Sequence, residues 1–265
     1  MSMPKGSPLL STAKGPLPLV LGVTGHRTIR EEDRAAIETM VREIFKTIAN
    51  TIKSTSLVLI SSLAEGADRL VARIALEEGA RLVVPLPLPR DDYENDFASE
   101  ESRVEFGQLL DKATQVFEVN RTADVSIGAS RDRAYELAGV HVVRHCQILI
   151  ALWDSVDTGK TGGTWEIVRY KLHGIPDQFD PGHSPLDSPE TGPVFQIVTP
   201  RPGEPMPDRA LDRVDHYPGN PIDAVSTRVN AAHCACTCIC DQCLQTVNLV
   251  GWLLYHPNKY QMTNR

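Results

Sequence analysis

The sequence predicts an α/β fold, a doubly wound and mainly parallel sheet with helices on both faces. The first observation is a series of short, almost wholly apolar runs, among them "LPLVLGV", "SLVLISS", "QILIALW" and "PVFQIVTP". Strands this apolar leave no face for water, which is the condition of a parallel sheet covered on both sides. The second is that segments of helical periodicity separate the runs, supplying the crossovers that parallel neighbours require. The third is glycine at strand-to-helix junctions, where such sheets build their ligand sites.

The elements follow in order. A strand at Leu17 to Val23 ends in the turn "TGHR", and a helix from Glu31 to Lys53 carries Ile37, Val41, Ile44, Phe45 and Ile48 at helical spacing. A second strand, Ser56 to Ser62, leads into the helix "AEGADRLVARIALEEG", which stops at Gly79. The third strand, "RLVVPLPLP", ends in prolines that cannot extend a central ladder. The acidic "RDDYENDFASEE" reads as a loop leading to a helix around Arg103 to Ala113, and "TQVFEVN" as strand four. Helix "RDRAYELAGVHVVRHC", strand "QILIALW", helix "TWEIVRYKLHG" and a strand beginning at Pro193 complete the alternation. The expected organisation is a flexible segment at 1–15, one domain at 16–200, and a Pro-rich linker with a Cys-rich tail at 201–265.

Composition narrows the function. A chain of 265 residues with 42% apolar residues has material for a core. A net charge of -7 without a basic block argues against many phosphate contacts, so nucleic acid is not an expected partner. A small anionic ligand needs only a local site and stays open. No apolar run approaches the roughly 18 residues of a membrane span, and the first residues lack a signal-type centre, so the expected address is cytoplasmic, with no membrane partner. Of six cysteines, Cys234, Cys236, Cys238, Cys240 and Cys243 crowd together and Cys146 stands apart, which is no disulfide framework. Alternate cysteines also lack paired metal knuckles, so zinc at this tail is not expected.

The junctions carry the chemistry. In "WDSVDTGKTGGTWEIV", Gly159-Lys160-Thr161 resembles the end of a P-loop, but Asp154 occupies the place of its first glycine and sets a carboxylate where phosphate would lie. Gly162-Gly163-Thr164 is the stronger signal, because bare glycines before a helix leave its N-terminal N–H groups open to an oxyanion. "VTGHR" adds Thr24, Gly25 and Arg27, and "SSLAEGAD" adds Ser61, Gly66 and Asp68. In a parallel sheet these strand ends share one edge, so the three loops converge on one ligand. Arg27 is the candidate phosphate partner, Thr24 or Ser61 a hydroxyl contact, and Asp68 a cap or ribose contact. Asp91, Asp92, Tyr93, Glu94 and Asp96 form a candidate lid or Mg²⁺ site. Tyr135 and Trp165 are candidates to stack on a base, and His26 is a candidate acid or base. No metal-ligating set is assigned beyond these.

Taken together, "GVTGHR", "SSLAEGADRLVARIALEEGARLVVPLPLPRDDYENDF", "YELAGVHVVRHCQILIALWD" and "GGTWEIV" resemble the SMF/DprA/LOG superfamily of Rossmann-like nucleotide-binding proteins. It includes DNA-processing DprA proteins and Lonely Guy phosphoribohydrolases. The resemblance implies a modified Rossmann fold, a nucleotide or nucleotide-like ligand bound or sensed at the Gly-rich turns, and homo-oligomerisation through helices. The hydrolase branch implies the alternative, cleavage of an N-glycosidic bond in a nucleoside monophosphate. Its pattern, Pro-Gly-Gly-x-Gly-Thr-x-x-Glu, would place the acid at Ile167. Glu166 lies one position early, about 100° around a helix. The catalytic arginine of that branch falls near Ala138, with Arg131 and Arg133 upstream. Glu166 and Arg133 are the candidate catalytic pair, and whether the chain is an enzyme stays open. Single-stranded DNA binding, as in the DNA-processing relatives, is the third reading.

Overall fold

The computed structural model describes residues 17–53, 55–119, 131–179 and 190–219. Strand β1 (Leu19–Gly25) is followed by α1 (Glu31–Thr51), β2 (Leu57–Ile60), α2 (Ala67–Glu77) and β3 (Arg81–Leu86). Next come α3 (Arg90–Glu94), α4 (Glu100–Asp111), β4 (Gln115–Glu118) and α5 (Arg131–His145). The chain continues through β5 (Ile148–Trp153), α6 (Thr164–His173), β6 (Val194–Val198) and β7 (Arg213–His216). The Cys-rich stretch lies outside the described residues. No helix among those described is long and apolar enough to cross a membrane.

The strands form one sheet in the order β4-β3-β2-β1-β5-β6-β7. Every neighbouring pair is parallel except β6 and β7. From β1 the chain winds outward through β2, β3 and β4, then returns past β1 to place β5 on its other side. The strand order therefore reverses between β1 and β5, where the register pairs Gly25 with Leu152. At such a reversal the loops leaving the two strands diverge to opposite faces and open a crevice.

Side-chain alternation sorts the core into two layers. Leu19, Leu21 and Val23 of β1, with Ile148, Ile150 and Leu152 of β5, pack with α1 and α2. Leu149, Ala151 and Trp153 of β5 pack on the other side with Val140, Val142 and Val143 of α5 and Ile167 and Val168 of α6. The near-continuous apolar strands are thus explained by burial on both faces. On the second face Gly139 lets α5 and α6 close up, since a Cβ there would collide with Ile167. The buried Lys171 of α6 closes the C-terminus of α5. Its Nζ donates to the carbonyls of Val143 at 3.3 Å and Cys146 at 2.5 Å, and to Glu190 at 2.9 Å.

Three stretches differ from expectation. The acidic segment expected as a loop contains α3, whose N-cap is Pro89: its carbonyl accepts from Asp92 N–H at 3.0 Å and Tyr93 N–H at 2.9 Å, and its missing N–H leaves no donor unpaired. Helix α4 begins at Glu100, because the Ser99 side chain caps it by accepting from Ser102 N–H at 3.2 Å, with Glu100 and Glu101 favouring the positive end. Strand β7 lies in the stretch read as linker. Its four residues are too polar and too few for periodicity to find, and antiparallel pairing with β6 holds them.

Two glycines fit α2 against the end of β1. Gly66 caps α2 at φ +79°, and a Cβ there would fall 2.5 Å from His26 O. A Cβ on Gly25 would fall 2.5 Å from that of Ala67 and 2.6 Å from Leu152 O. Both contacts are with backbone or a short side chain, so neither can give way. Gly66→Ala is expected to lose more than about 2 kcal/mol of stability, from the left-handed φ together with the clash. Urea denaturation checks it, and an unchanged midpoint would contradict the packing described.

Candidate functional site

The C-terminal edge of the sheet holds a cavity of about 230 Å³ in the β1–β5 crevice. Thr24, Gly25, His26 and Arg27 line it from β1, Ser62, Ala64 and Asp68 from the β2–α2 junction, and Gly162, Gly163 and Thr164 from the start of α6. The expected convergence of three loops is therefore what the topology produces. Tyr93, Asp132, Tyr135, Gly139, Lys160 and Ile167 complete much of the remaining wall.

The α6 end leaves backbone donors open toward the cavity. Gly163 is the N-cap in an extended conformation, with no side-chain cap hydrogen bond. Glu166 instead accepts from Gly162 N–H at 2.7 Å, a capping box displaced by one residue. Gly163 N–H donates to Lys160 O at 2.9 Å. The first-turn N–H groups beginning with Thr164 have no intrahelical acceptor, and the helix dipole makes that end positive. Gly162 has φ +69°, and a Cβ on it would lie 2.8 Å from Glu136 N, so the cradle is pressed against α5.

Arg27 reaches the mouth from the opposite side. Its guanidinium stacks 4.6 Å from the centroid of the Tyr135 ring and, among the described residues, forms no ion pair. Tyr135 is itself held by a hydrogen bond from its hydroxyl to Asp96. Burial and that bond push its pKa up to about 12, so it stays protonated. Arg131 joins Asp92 at 3.1 Å and Asp96 at 2.9 Å, fastening the α3 segment to α5. Of the carboxylates considered for Mg²⁺, Asp92 and Asp96 are thus engaged with Arg131 and Glu94 with Arg90, and among the described residues no group of three or more His, Cys, Asp or Glu is placed to hold a metal.

Beneath Arg27 lies a buried polar brace. Ser61 is wholly buried, donates to Asp68 Oδ2 at 3.1 Å and accepts from Leu63 N–H at 3.1 Å. Leu63 adopts φ +55°, a left-handed conformation costly for a branched side chain. Arg69 holds its carbonyl at 3.0 Å. Burial raises the Asp68 carboxyl to about 6, partly offset by Ser61, the Ala64 backbone, Arg27 and Arg69.

His26 ties the edge together. Its backbone bonds Leu152 O and Ala67 N–H, each at 3.0 Å, and its Nε2 accepts from Asp154 N–H at 3.1 Å. That ring nitrogen is engaged by the Asp154 backbone, and His26 itself stands on the cavity wall. Asp154 does not line the cavity. Its side chain is 5% exposed and accepts from Arg201 Nε at 2.6 Å and Val156 N–H at 3.0 Å.

The sequence-derived residues divide accordingly. Thr24, Gly25, Arg27, Asp68, Gly162, Gly163 and Thr164 are brought to the cavity wall. Gly66 and Ser61 lie behind it, one packing α2 on β1, the other bracing Asp68, while Ser62 takes the lining place. Glu166 and Arg133 do not line it. Glu166 caps the cradle, and Arg133 pairs with Glu136 at 2.6 Å and stacks 4.1 Å from the Phe179 ring. Trp165 packs on Trp153 at 5.6 Å. Sequence reading missed Asp132, Ser62 and the Gly139–Ile167 floor, although an isolated glycine within a helical pattern is a signal of close packing.

No family model and no curated protein matches this chain. Among solved structures, it is similar to DNA processing protein A from Streptococcus pneumoniae at 17% identity and a TM-score of 0.30, covering 51% of this chain and 41% of that one. It is similar to DNA processing protein A from Helicobacter pylori at 15% identity and a TM-score of 0.34, covering 53% and 55%. This chain thus spans about half the length of either protein. The Helicobacter protein is described for its single-stranded DNA binding mode. Beside these structures the expectation that nucleic acid is an unlikely partner, drawn from net charge, is withdrawn. Charge summed over a chain does not report the local potential at a groove bearing Arg27 and Lys160.

Burial alone would raise the Asp154 pKa, but the nearby His26 imidazole and the bonds from Arg201 and Val156 N–H outweigh it and hold the carboxyl well below its usual range. A depressed carboxyl contributes stability that is present above its unfolded pKa of about 3.9 and lost as the pH falls toward the folded value. Asp154→Asn is therefore expected to be less stable than wild type at about pH 7, with the gap narrowing below about pH 4. Urea midpoints across that range check it, and a constant gap would show that the carboxylate charge is irrelevant.

Proposed function

We propose that this protein binds a nucleotide or nucleotide-derived ligand, with a phosphate over Gly162-Gly163-Thr164 and Arg27 facing it across the crevice. The observation that carries the reading is the position of the cavity. It lies at the strand-order reversal between β1 and β5, beside an N-terminal helix end whose N–H groups are uncommitted. Arg27 and Lys160 add positive charge, and the stacking of Arg27 on Tyr135 fixes its direction. At about 230 Å³ the cavity is smaller than the roughly 300–1,000 Å³ typical of ligand pockets. This size favours the phosphate and sugar of a single nucleotide over an enclosed dinucleotide. Hydrolysis of an N-glycosidic bond has less to support it, because Glu166 is spent on Gly162 N–H and Arg133 is turned to Phe179. Binding or sensing is the reading preferred here.

Calorimetric titration with AMP, ADP, ADP-ribose, NAD, cyclic nucleotides and a thymidine oligonucleotide tests it. Saturable binding of a phosphorylated nucleotide is expected, weakened roughly 10- to 100-fold by Arg27→Ala through loss of a charge-assisted contact. Folded protein that binds none of the mononucleotides overturns the reading, and binding of the oligonucleotide alone would move the assignment to nucleic acid.

A further inference from the structure

Tyr93 is held by an aromatic cluster that makes no use of its hydroxyl. Its ring meets Phe97 at 5.0 Å and Phe106 at 5.7 Å, both edge to face, and Tyr135 at 5.9 Å. It is 1% exposed. A phenylalanine would satisfy every one of these contacts. Yet the residue carries a buried oxygen with no hydrogen-bond partner among the described residues, a costly arrangement, since burial strips the group of water without replacing it. The neighbouring Tyr135 hydroxyl has Asp96 as its acceptor.

The same side chain lines the cavity, together with Arg27, Asp68 and Tyr135. Burial and the nearby Asp68 carboxyl raise its pKa above the ordinary phenol value, so the group is a neutral donor at physiological pH. A buried donor on a residue of the cavity wall, with no acceptor of its own, is the arrangement expected where a ligand that seats with a small movement of that wall supplies the acceptor.

We propose that Tyr93 is a specificity-determining ligand contact, whose O–H donates a hydrogen bond to an acceptor oxygen on the sugar-phosphate part of the bound ligand. This rests on the nucleotide reading above. The site then discriminates against compounds that fit the cavity but present no oxygen at that point, because they leave the phenol unpaired. The α3 segment, fastened to α5 through Arg131, serves to hold this donor in place. The acceptor is either a ribose hydroxyl or a phosphate oxygen, and the two are separable by experiment.

Tyr93→Phe tests the proposal, since it removes one oxygen and keeps the ring packing. Thermal unfolding of the free variant is expected at the wild-type temperature or above, because an unsatisfied group is removed. Titration with AMP is expected to show roughly tenfold weaker binding. Repeating it with 2′-deoxy- and 3′-deoxy-AMP locates the acceptor. If it is a ribose hydroxyl, the corresponding deoxy ligand loses the difference between wild type and variant; if a phosphate oxygen, the difference persists for all three. Undiminished AMP binding by the variant overturns the proposal while leaving the nucleotide reading intact. A lowered unfolding temperature of the free variant also overturns it, by showing that the hydroxyl is bonded within the free protein. Wild type that binds no mononucleotide removes the nucleotide reading and this proposal with it.

Discussion

The backbone of His26 and Arg27 presses directly against the N-cap of α2, and most of the site depends on that contact. Only glycine at positions 25 and 66 permits it. Two hydrogen bonds from the backbone of His26 secure it, one to α2 and one to β5, and its imidazole adds a third toward Asp154. One residue thereby fixes the positions of two strand ends and a helix end. Arg27, the next residue, is aimed into the crevice by a turn with no freedom to drift.

Behind this contact the protein places polar groups where apolar ones would cost less. Ser61, Asp68 and Arg69 surround a strained Leu63: Ser61 donates to Asp68 and accepts from Leu63 N–H, and Arg69 donates to the Leu63 carbonyl. Strain of this kind persists only where neighbours over-determine it, and it concentrates beside binding sites. The brace holds the β2–α2 loop as a rigid wall, so that Ser62 and Ala64 face the cavity from a fixed distance. The Asp68 carboxyl adds a buried acid to the cavity wall, and burial raises its pKa to about 6 although Ser61, the Ala64 backbone and Arg27 partly offset it.

The opposite wall works by complementary means. Glu166 turns back to bond Gly162 N–H, and Gly163 N–H bonds Lys160 O, which shapes the loop while leaving the first helical N–H groups unused. Asp154, joined to Arg201, anchors the loop as it leaves β5. The two walls differ in character: one is braced by buried side chains, the other by backbone geometry at a helix end. A ligand seated between them would meet a cation from the first and a dipole from the second.

The fold class was legible from residues alone, because a strand buried on both faces must be apolar throughout, and runs such as that from Ile148 to Trp153 admit no other simple reading. The Gly-rich junctions were legible too, since glycine before a helix leaves a physical mark in the sequence. β7 was not, because "RVDH" owes its strand to pairing with β6 and to nothing in its own pattern. Nor did the sequence separate Ser61 from Ser62, or a lining residue such as Asp68 from a packing one such as Gly66. A one-residue difference in a turn decides which side chain faces the crevice. Glu166 illustrates the limit best: its spacing from Gly163-Thr164 was legible as a displaced acid, but only the folded helix end gave its carboxylate a backbone N–H to accept. By itself the sequence determined which strand ends share one edge and that glycine lines it. The tertiary structure decided which of those side chains are used on the protein and which are left open to the crevice, because that depends on partners brought together from distant parts of the chain.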